Sequence, residues 1–303
     1  MKGYKGFAPG LVCLKKQYAE NTVFEEEKAE VCSCGMHFCQ NPFDVLDYYD
    51  LVRSDGSFND FAEVEALADT KTDDNKKFCT TKLKVGAKLS FAGFVKACVE
   101  FVHEKTIKDM PESNVDSGNS AQIGSSGNYA KIGSSGNSAK IGSSGNYAQI
   151  GSSGNYAKIG SSGNYAKIGS SGNYAKIGSS GNSAKIGSSG YYAQIGSSGN
   201  YAKIGSSGNY AKIGSSGNSA KIGSSGNSAQ IDCTGHDSVI CCAGDNSSVK
   251  AKKGCWITLA EWKFDRSKDR YVPACVKTEF VDGEKIKEDV FYKLVNGEFV
   301  EIK

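Results

Sequence analysis

A chain of 303 residues has room for two or three domains, and no stretch of it approaches the roughly eighteen consecutive apolar residues of a membrane-spanning helix. Eleven cysteines, an odd number, with no apolar leader after Met1-Lys2-Gly3-Tyr4-Lys5, argue against a disulfide-stapled secreted fold and for reduced thiols in a cytoplasm. The net charge of +3 conceals an asymmetry: nine lysines and no acid lie between Ser117 and Ile231, so the other 27 basic and 33 acidic residues leave the rest of the chain at −6.

Residues 1–112 carry no repeat and read as a small α+β domain that would cover the first open coil of the repetitive segment beyond it. Asn41-Pro42 before Phe43-Asp44-Val45-Leu46 is a helix start, with asparagine at the N-cap and proline at N1. Phe61–Ala66 and Thr81–Val85 read as strands. Ser90 is placed to cap a second helix, with Phe91, Phe94, Val95, Cys98, Phe101 and Val102 along one face. Cys32, Cys34, His37 and Cys39 have the chemistry of a zinc site, but Cys-x-Cys is tighter than the usual spacing and no second ligand pair is found at finger distance, so buried structural thiols are the better reading. His37 with Glu63 or Glu65 is the one acid–base pairing the sequence offers.

From residue 113 to 249 runs a repeat of a nine-residue unit, Gly-Ser-Ser-Gly-Asn-Tyr-Ala-Lys-Ile, which decays over its last two units, Asp232–Ile240 and Cys241–Val249. Isoleucine returns thirteen times from Ile123 to Ile231, each with alanine two places before it. Alternation along a strand puts Ala and Ile on one side, Tyr and Lys on the other. The inside must be Ala and Ile, because the reverse would bury unpaired lysines. Substitution agrees: Tyr exchanges with Ser at 138, 183, 219 and 228, and Lys with Gln at 122, 149, 194 and 230. Gly-Ser-Ser-Gly would form the corner through positive-φ glycine, and the asparagine after it would form an inward ladder. Nine residues cannot close around a core, so two units per coil, giving two parallel sheets, are expected, with three per coil the less favoured geometry. The unit lacks the aspartate of calcium-binding nonapeptide rolls, which speaks against calcium.

Beyond residue 250 the chain reads as a β-meander over the last coil. Asp282-Gly283 and Asn296-Gly297 are its hairpin turns.

The opening Met1-Lys2-Gly3-Tyr4-Lys5-Gly6-Phe7, the segment Gly35-Met36-His37-Phe38-Cys39-Gln40-Asn41-Pro42, and the tail segments Leu259-Ala260-Glu261-Trp262 and Val281-Asp282-Gly283-Glu284 resemble an uncharacterised family of bacterial and phage proteins that carry a Gly/Ala-rich repeat between such ends. The resemblance implies a domain layout and a microbial or viral origin, and no activity.

The fold expected is therefore mainly β: a parallel β-solenoid between an N-terminal α+β domain and a C-terminal β-meander. No Walker loop, dinucleotide fingerprint or nucleophile elbow is present, and no cofactor is implied. The function expected is a non-enzymatic scaffold whose repetitive faces bind multivalently through Tyr129, Lys131, Tyr156, Lys158, Tyr165, Lys167, Tyr174, Lys176, Tyr201, Lys203, Tyr210 and Lys212. An acidic protein surface or a polyanion such as nucleic acid would suit the lysines. The rival is a small-molecule-processing or sensing N-terminal domain with the solenoid as spacer; a pocket converging on His37 and nearby acids would favour it.

Overall fold

The computed structural model describes residues 1–53, 57–105, 113–116 and 118–302; the boundary expected at 112–113 falls against residues outside that set. The protein is mainly β, and about eight turns of solenoid run from residue 122 to 259. Each unit contributes one four-residue strand, Lys-Ile-Gly-Ser, and pairs in parallel with the strand eighteen residues on, so that Lys140, Ile141, Gly142 and Ser143 face Lys158, Ile159, Gly160 and Ser161. Two units thus make one coil, and odd and even units build two separate ten-stranded sheets.

Isoleucine and alanine point inward and are buried along the whole stack. The phase of the strand differs from the expectation. The strand is Lys-Ile-Gly-Ser, and the corner is Ser-Gly-Asn-Tyr. The left-handed residue of the corner is not glycine but tyrosine or serine, with φ between 54° and 61° from Tyr129 to Ser228. Coil spacing is the reason. A Cβ on the corner glycine, Gly181 for example, would fall inside the carbonyl group of Gly163 one coil back. Glycine is therefore required where the coils approach most closely, and the positive φ passes to its second neighbour. A left-handed tyrosine costs about 1–2 kcal/mol. Its N–H donates to the asparagine carbonyl of the next coil, as Tyr165 N does to Asn182 O at 2.8 Å, and its ring stacks on its neighbour, Tyr156–Tyr174–Tyr192–Tyr210 at 4.8–5.1 Å.

The asparagine ladder forms, but it is exposed rather than inward. Each Oδ1 accepts from the backbone N–H of the asparagine one coil later, as Asn182 Oδ1 does from Asn200 N at 2.9 Å. Tyr191 takes an asparagine position and has no Oδ1 to offer Asn209. Tyr191→Asn should therefore restore one hydrogen bond and raise stability by about 1 kcal/mol; a urea midpoint that stays or falls would show that the ladder contributes nothing there. The last residue of each strand forms a column of small inward side chains, serine through Ser215 in one sheet and Ser224 in the other, followed by Cys233 and Cys242, both fully buried.

The C-terminal residues end each sheet with an antiparallel hairpin. Trp256–Asp265 adds in parallel to Val239–Cys242 and then pairs antiparallel with Arg270–Phe280. Phe291–Val295 adds antiparallel to Ser248–Ala251 and pairs with Glu298–Ile302. Asn296 and Gly297, both at positive φ, make the expected two-residue turn. Asp282-Gly283 does not close a hairpin. Asp282 Oδ1 accepts from Glu284 N and Ile286 N in the loop that carries the chain from one sheet to the other. The reversal of strand direction leaves no parallel edge for another coil to join.

The N-terminal domain has strands β1 (Lys2–Phe7), β2 (Val12–Cys13), β3 (Lys16–Gln17), β4 (Thr22–Glu25), β5 (Met36–Cys39), β6 (Asp60–Ala66), β7 (Thr70–Lys71), β8 (Lys77–Thr80) and β9 (Lys82–Leu89), with helices α1 (Pro42–Val45) and α2 (Phe91–Lys105). Seven of the strands form one sheet in the order β4-β9-β6-β1-β5-β8-β7. Both helix caps stand as the sequence implies: Asn41 Oδ1 accepts from Phe43 N, and Ser90 Oγ from Gly93 N. Phe94 of α2 stacks on Phe61 at 3.8 Å. An adjoining side of α2, including Val95 and Val99, rests on solenoid glycines 142, 160 and 178. The described contacts of this domain with the solenoid thus run along the flank of one sheet rather than across the first coil.

Candidate functional site

The lateral docking makes the two solenoid faces unequal. On the covered sheet the outward column reads Gln122, Lys140, Lys158, Lys176, Gln194, Lys212. Asp44, Asp47 and Asp50 run along α1 and the turns after it, where i→i+3 bonds such as Asp47 N to Asp44 O keep every third residue on one side. They meet the lysines one for one: Lys140 Nζ–Asp44 at 2.6 Å, Lys158 Nζ–Asp47 at 2.6 Å and Lys176 Nζ–Asp50 at 2.9 Å. Turns of this type rise about 6 Å against coils about 4.8 Å apart, a mismatch the flexible lysine stems absorb. Lys158 also donates to Phe43 O, and burial lowers its pKa although Asp47 opposes the shift. Burial alone would raise the pKa of Asp50, but hydrogen bonds from Gln194 and Lys176 outweigh it and the net shift is down.

Gln194 stands where the aspartates run out. Its Oε1 accepts from Leu51 N at 3.1 Å and its Nε2 donates to Asp50 Oδ1 at 3.0 Å. Lysine has no acceptor and could not take this position. Next along the stack, Phe91 and Phe58 lie on Gly196 and Gly214; a Cβ on Gly196 would come within 2.6 Å of the Phe91 ring.

The other sheet is open. Its outward column is Lys131, Gln149, Lys167, Lys185, Lys203 and Lys221, and all five lysines are exposed, with no carboxylate in ion-pair range among the described residues. Beside it run Gly133, Gly151, Gly169, Gly187, Gly205 and Gly223; at the last five a Cβ would meet nothing within 4 Å. Lysines and glycines together line a shallow trough of about 910 Å³. Tyr129, Tyr147 and Tyr165 stack along its border, 4.9–5.0 Å apart.

The expected binding residues therefore divide. Tyr129, Lys131, Tyr165, Lys167, Tyr201 and Lys203 belong to the open sheet. Tyr156, Lys158, Tyr174, Lys176, Tyr210 and Lys212 belong to the covered one. There Lys158 and Lys176 are engaged by Asp47 and Asp50, while the tyrosines stay exposed beside the docked domain. Sequence reasoning missed Asp44, Asp47, Asp50 and Gln194. A signal for them exists: taken every second unit, the repeat shows three lysines between two glutamines, opposite three aspartates spaced by three.

The four zinc candidates are dispersed by depth. Cys32 is exposed and receives a hydrogen bond from Lys77 Nζ, Cys34 is half-buried, and Cys39 lies in the core below α1 with its thiol pushed up to about 12 by burial. Among the described residues no three His, Cys, Asp or Glu side chains gather as a metal site. Burial, with Lys5 and Lys77, lowers the His37 pKa, and its Nε2 accepts from Cys32 N at 3.2 Å, so the ring lacks a free lone pair there. The pairing of His37 with Glu63 or Glu65 does not form: those acids line a separate cavity with Lys2 and Lys84. His37 does border a cavity of about 770 Å³, in which the one acid among the described residues is Glu26.

Residues 1–97 match a domain of unknown function (DUF7666). No curated protein and no solved structure matches the chain.

Proposed function

We propose that the protein is a rigid scaffold whose open solenoid sheet binds a linear array of anions multivalently, while the other sheet carries the N-terminal domain. The observation that supports this most is internal. On the covered face, lysines repeated at coil spacing hold a row of three carboxylates; the open face presents an equivalent column that no part of the described chain neutralises. Like charges at about 4.8 Å repel by about 1 kcal/mol even in water, so each anion that bridges two lysines relieves repulsion as well as gaining attraction. The glycine floor admits an extended partner to the backbone itself. A polyanion or an acidic protein surface has the required chemistry, and the odd cysteine count supports a reducing cytoplasm as the place of action. The resemblance of both ends to bacterial and phage proteins supports a microbial or viral source.

Heparin retention tests the reading. The wild-type chain should bind at low salt, and Lys167→Gln/Lys185→Gln/Lys203→Gln should lower the slope of log affinity against log salt by about two to three. A wild-type chain that passes straight through the column, or a triple variant with an unchanged slope, refutes it.

A further inference from the structure

The cavity beside His37 contains a group that the scaffold does not explain. Lys5, on β1, is 5% exposed. Its ammonium donates to the His37 carbonyl at 2.8 Å. Among the described residues no carboxylate lies in ion-pair range of it: Glu26, which shares the cavity, is bound to Lys16 at 2.8 Å. Partial compensation comes from the rings of Phe7 and Tyr18, whose centroids are 5.5 and 5.6 Å from Nζ. A buried ammonium is normally paired, because taking it out of water costs several kilocalories per mole. Burial accordingly lowers its pKa, while the Cys13 thiol, to which the ammonium is also hydrogen-bonded, opposes the shift.

The rest of the cavity adds positive charge and flat apolar walls. Lys15, Lys16 and Lys77 stand at its edge, and Lys77 Nζ lies 4.6 Å from the centre of the Tyr48 ring. Tyr48 and Tyr49 supply ring faces, and Tyr18, packed between Phe7 and Phe24, closes the wall behind Lys5. Tyr49 can lie flat on β1 because residue 6 is glycine: a Cβ there would be 2.7 Å from its ring. Tyr49 OH donates to Cys13 Sγ at 2.9 Å, which holds the ring in place. A volume of about 770 Å³ is in the range of small-molecule sites.

We propose that this cavity binds a small organic anion carrying a planar ring, with the acidic group on Lys5 and the ring against Tyr48 and Tyr49. The site is independent of the open solenoid face. Lys5 is kept buried without a counter-ion because the ligand supplies it, so the free protein tolerates a destabilising charge for the sake of binding.

Calorimetric titration of the full chain tests this with two matched pairs of probes: AMP against adenosine for a phosphate, and 1-naphthoate against 1-naphthamide for a carboxylate. At least one anion should bind about tenfold or more tighter than its neutral partner, and which pair responds identifies the acid class. Lys5→Met should abolish that preference while leaving the melting temperature of the ligand-free protein unchanged or higher. A purely structural Lys5 would instead lower it. Lys77→Met, at the accessible edge, should weaken the same anion severalfold, and it decides the question if Lys5→Met fails to fold. Lys167→Gln on the solenoid should leave the affinity unchanged. Failure of both anions to bind at millimolar concentration, binding unaffected by Lys5→Met and Lys77→Met, or binding lost in Lys167→Gln overturns the proposal.

Discussion

Gly181→Ala should destabilise the protein by at least about 3 kcal/mol, in the range reserved for changes that the backbone cannot accommodate, whereas Gly169→Ala should be neutral or stabilising by about 0.4–1 kcal/mol. The two glycines are the first and fourth positions of the nonapeptide, taken from successive units, and neither has a positive φ, so conformational preference does not separate them. Space does. A Cβ at 181 would occupy the carbonyl group of Gly163, whereas a Cβ at 169 would point into the open trough with nothing within 4 Å. The corner carbonyls cannot retreat, because each coil is hydrogen-bonded to the coils on either side. Each coil also contacts little beyond its neighbours, so a break at 181 separates two shorter stacks, each with its own poorly covered end. Urea unfolding monitored by circular dichroism measures both variants. Equal midpoints would mean that coil spacing relaxes freely and that the corner glycine is there for its flexibility after all.

The sequence discloses periodicity more readily than phase. Thirteen isoleucines in step settle that the segment is a solenoid with Ala and Ile inside, because no other arrangement buries them without burying lysine. Two units per coil are then required to enclose that core. Which residues form the corner is not settled in the same way, because the sequence shows two glycines per unit and not which one faces a neighbouring backbone. Tyrosine reads as a strand residue because it normally avoids left-handed φ. Here a ladder of backbone hydrogen bonds and ring stacking outweighs that preference. In the N-terminal domain the caps are legible because they are local; Asn41 and Ser90 act on residues two and three places away. The docking face is not, because Asp44 and Lys140 meet across 96 residues of chain. Val99 shows the same limit. It lies off the stripe read for α2 because that helix has two apolar neighbours, its own sheet and the solenoid, and a single-stripe reading finds only one. Lys5 is hidden for a further reason: a lysine within a strand pattern reads as an exposed position, and only the fold shows it enclosed.

Breaking the aspartate–lysine ladder should release the N-terminal domain from the solenoid without unfolding either. The pair at the start of the ladder is the most enclosed, with the Asp44 and Lys140 side chains 6% and 12% exposed. Asp44→Asn leaves a buried ammonium without its counter-ion, at a cost of about 3–5 kcal/mol. Lys140→Met with Asp44→Leu removes both charges and should recover most of that loss, since a well-packed apolar pair can match a buried ion pair. Cys98 reports the state of the interface. It lies buried on α2 beside Gly160 of the solenoid, and burial raises its thiol pKa. Thiol labelling of Cys98 read by mass spectrometry should be slow in the wild type, faster by about a hundredfold or more in Asp44→Asn, and slow again in the double variant. Gln194→Lys should also accelerate it, because Leu51 N and Val52 N lose their acceptor and the mark that fixes which three lysines meet which three aspartates disappears. The same contact responds to pH. The pKa of Asp50 is lower in the docked state than its ordinary value of 3.8, so its contribution is complete above that value and is lost as pH falls through the lowered one. Measured relative to a free cysteine at the same pH, which cancels the changing thiolate fraction, labelling should accelerate in acid, below about pH 4, and not in mild base. Labelling of Cys98 that is fast in the wild type, or unmoved by Asp44→Asn, would show that the apolar contacts of Phe58, Phe91 and Val99 hold the domain in place and that the lysine column of the covered sheet recognises nothing.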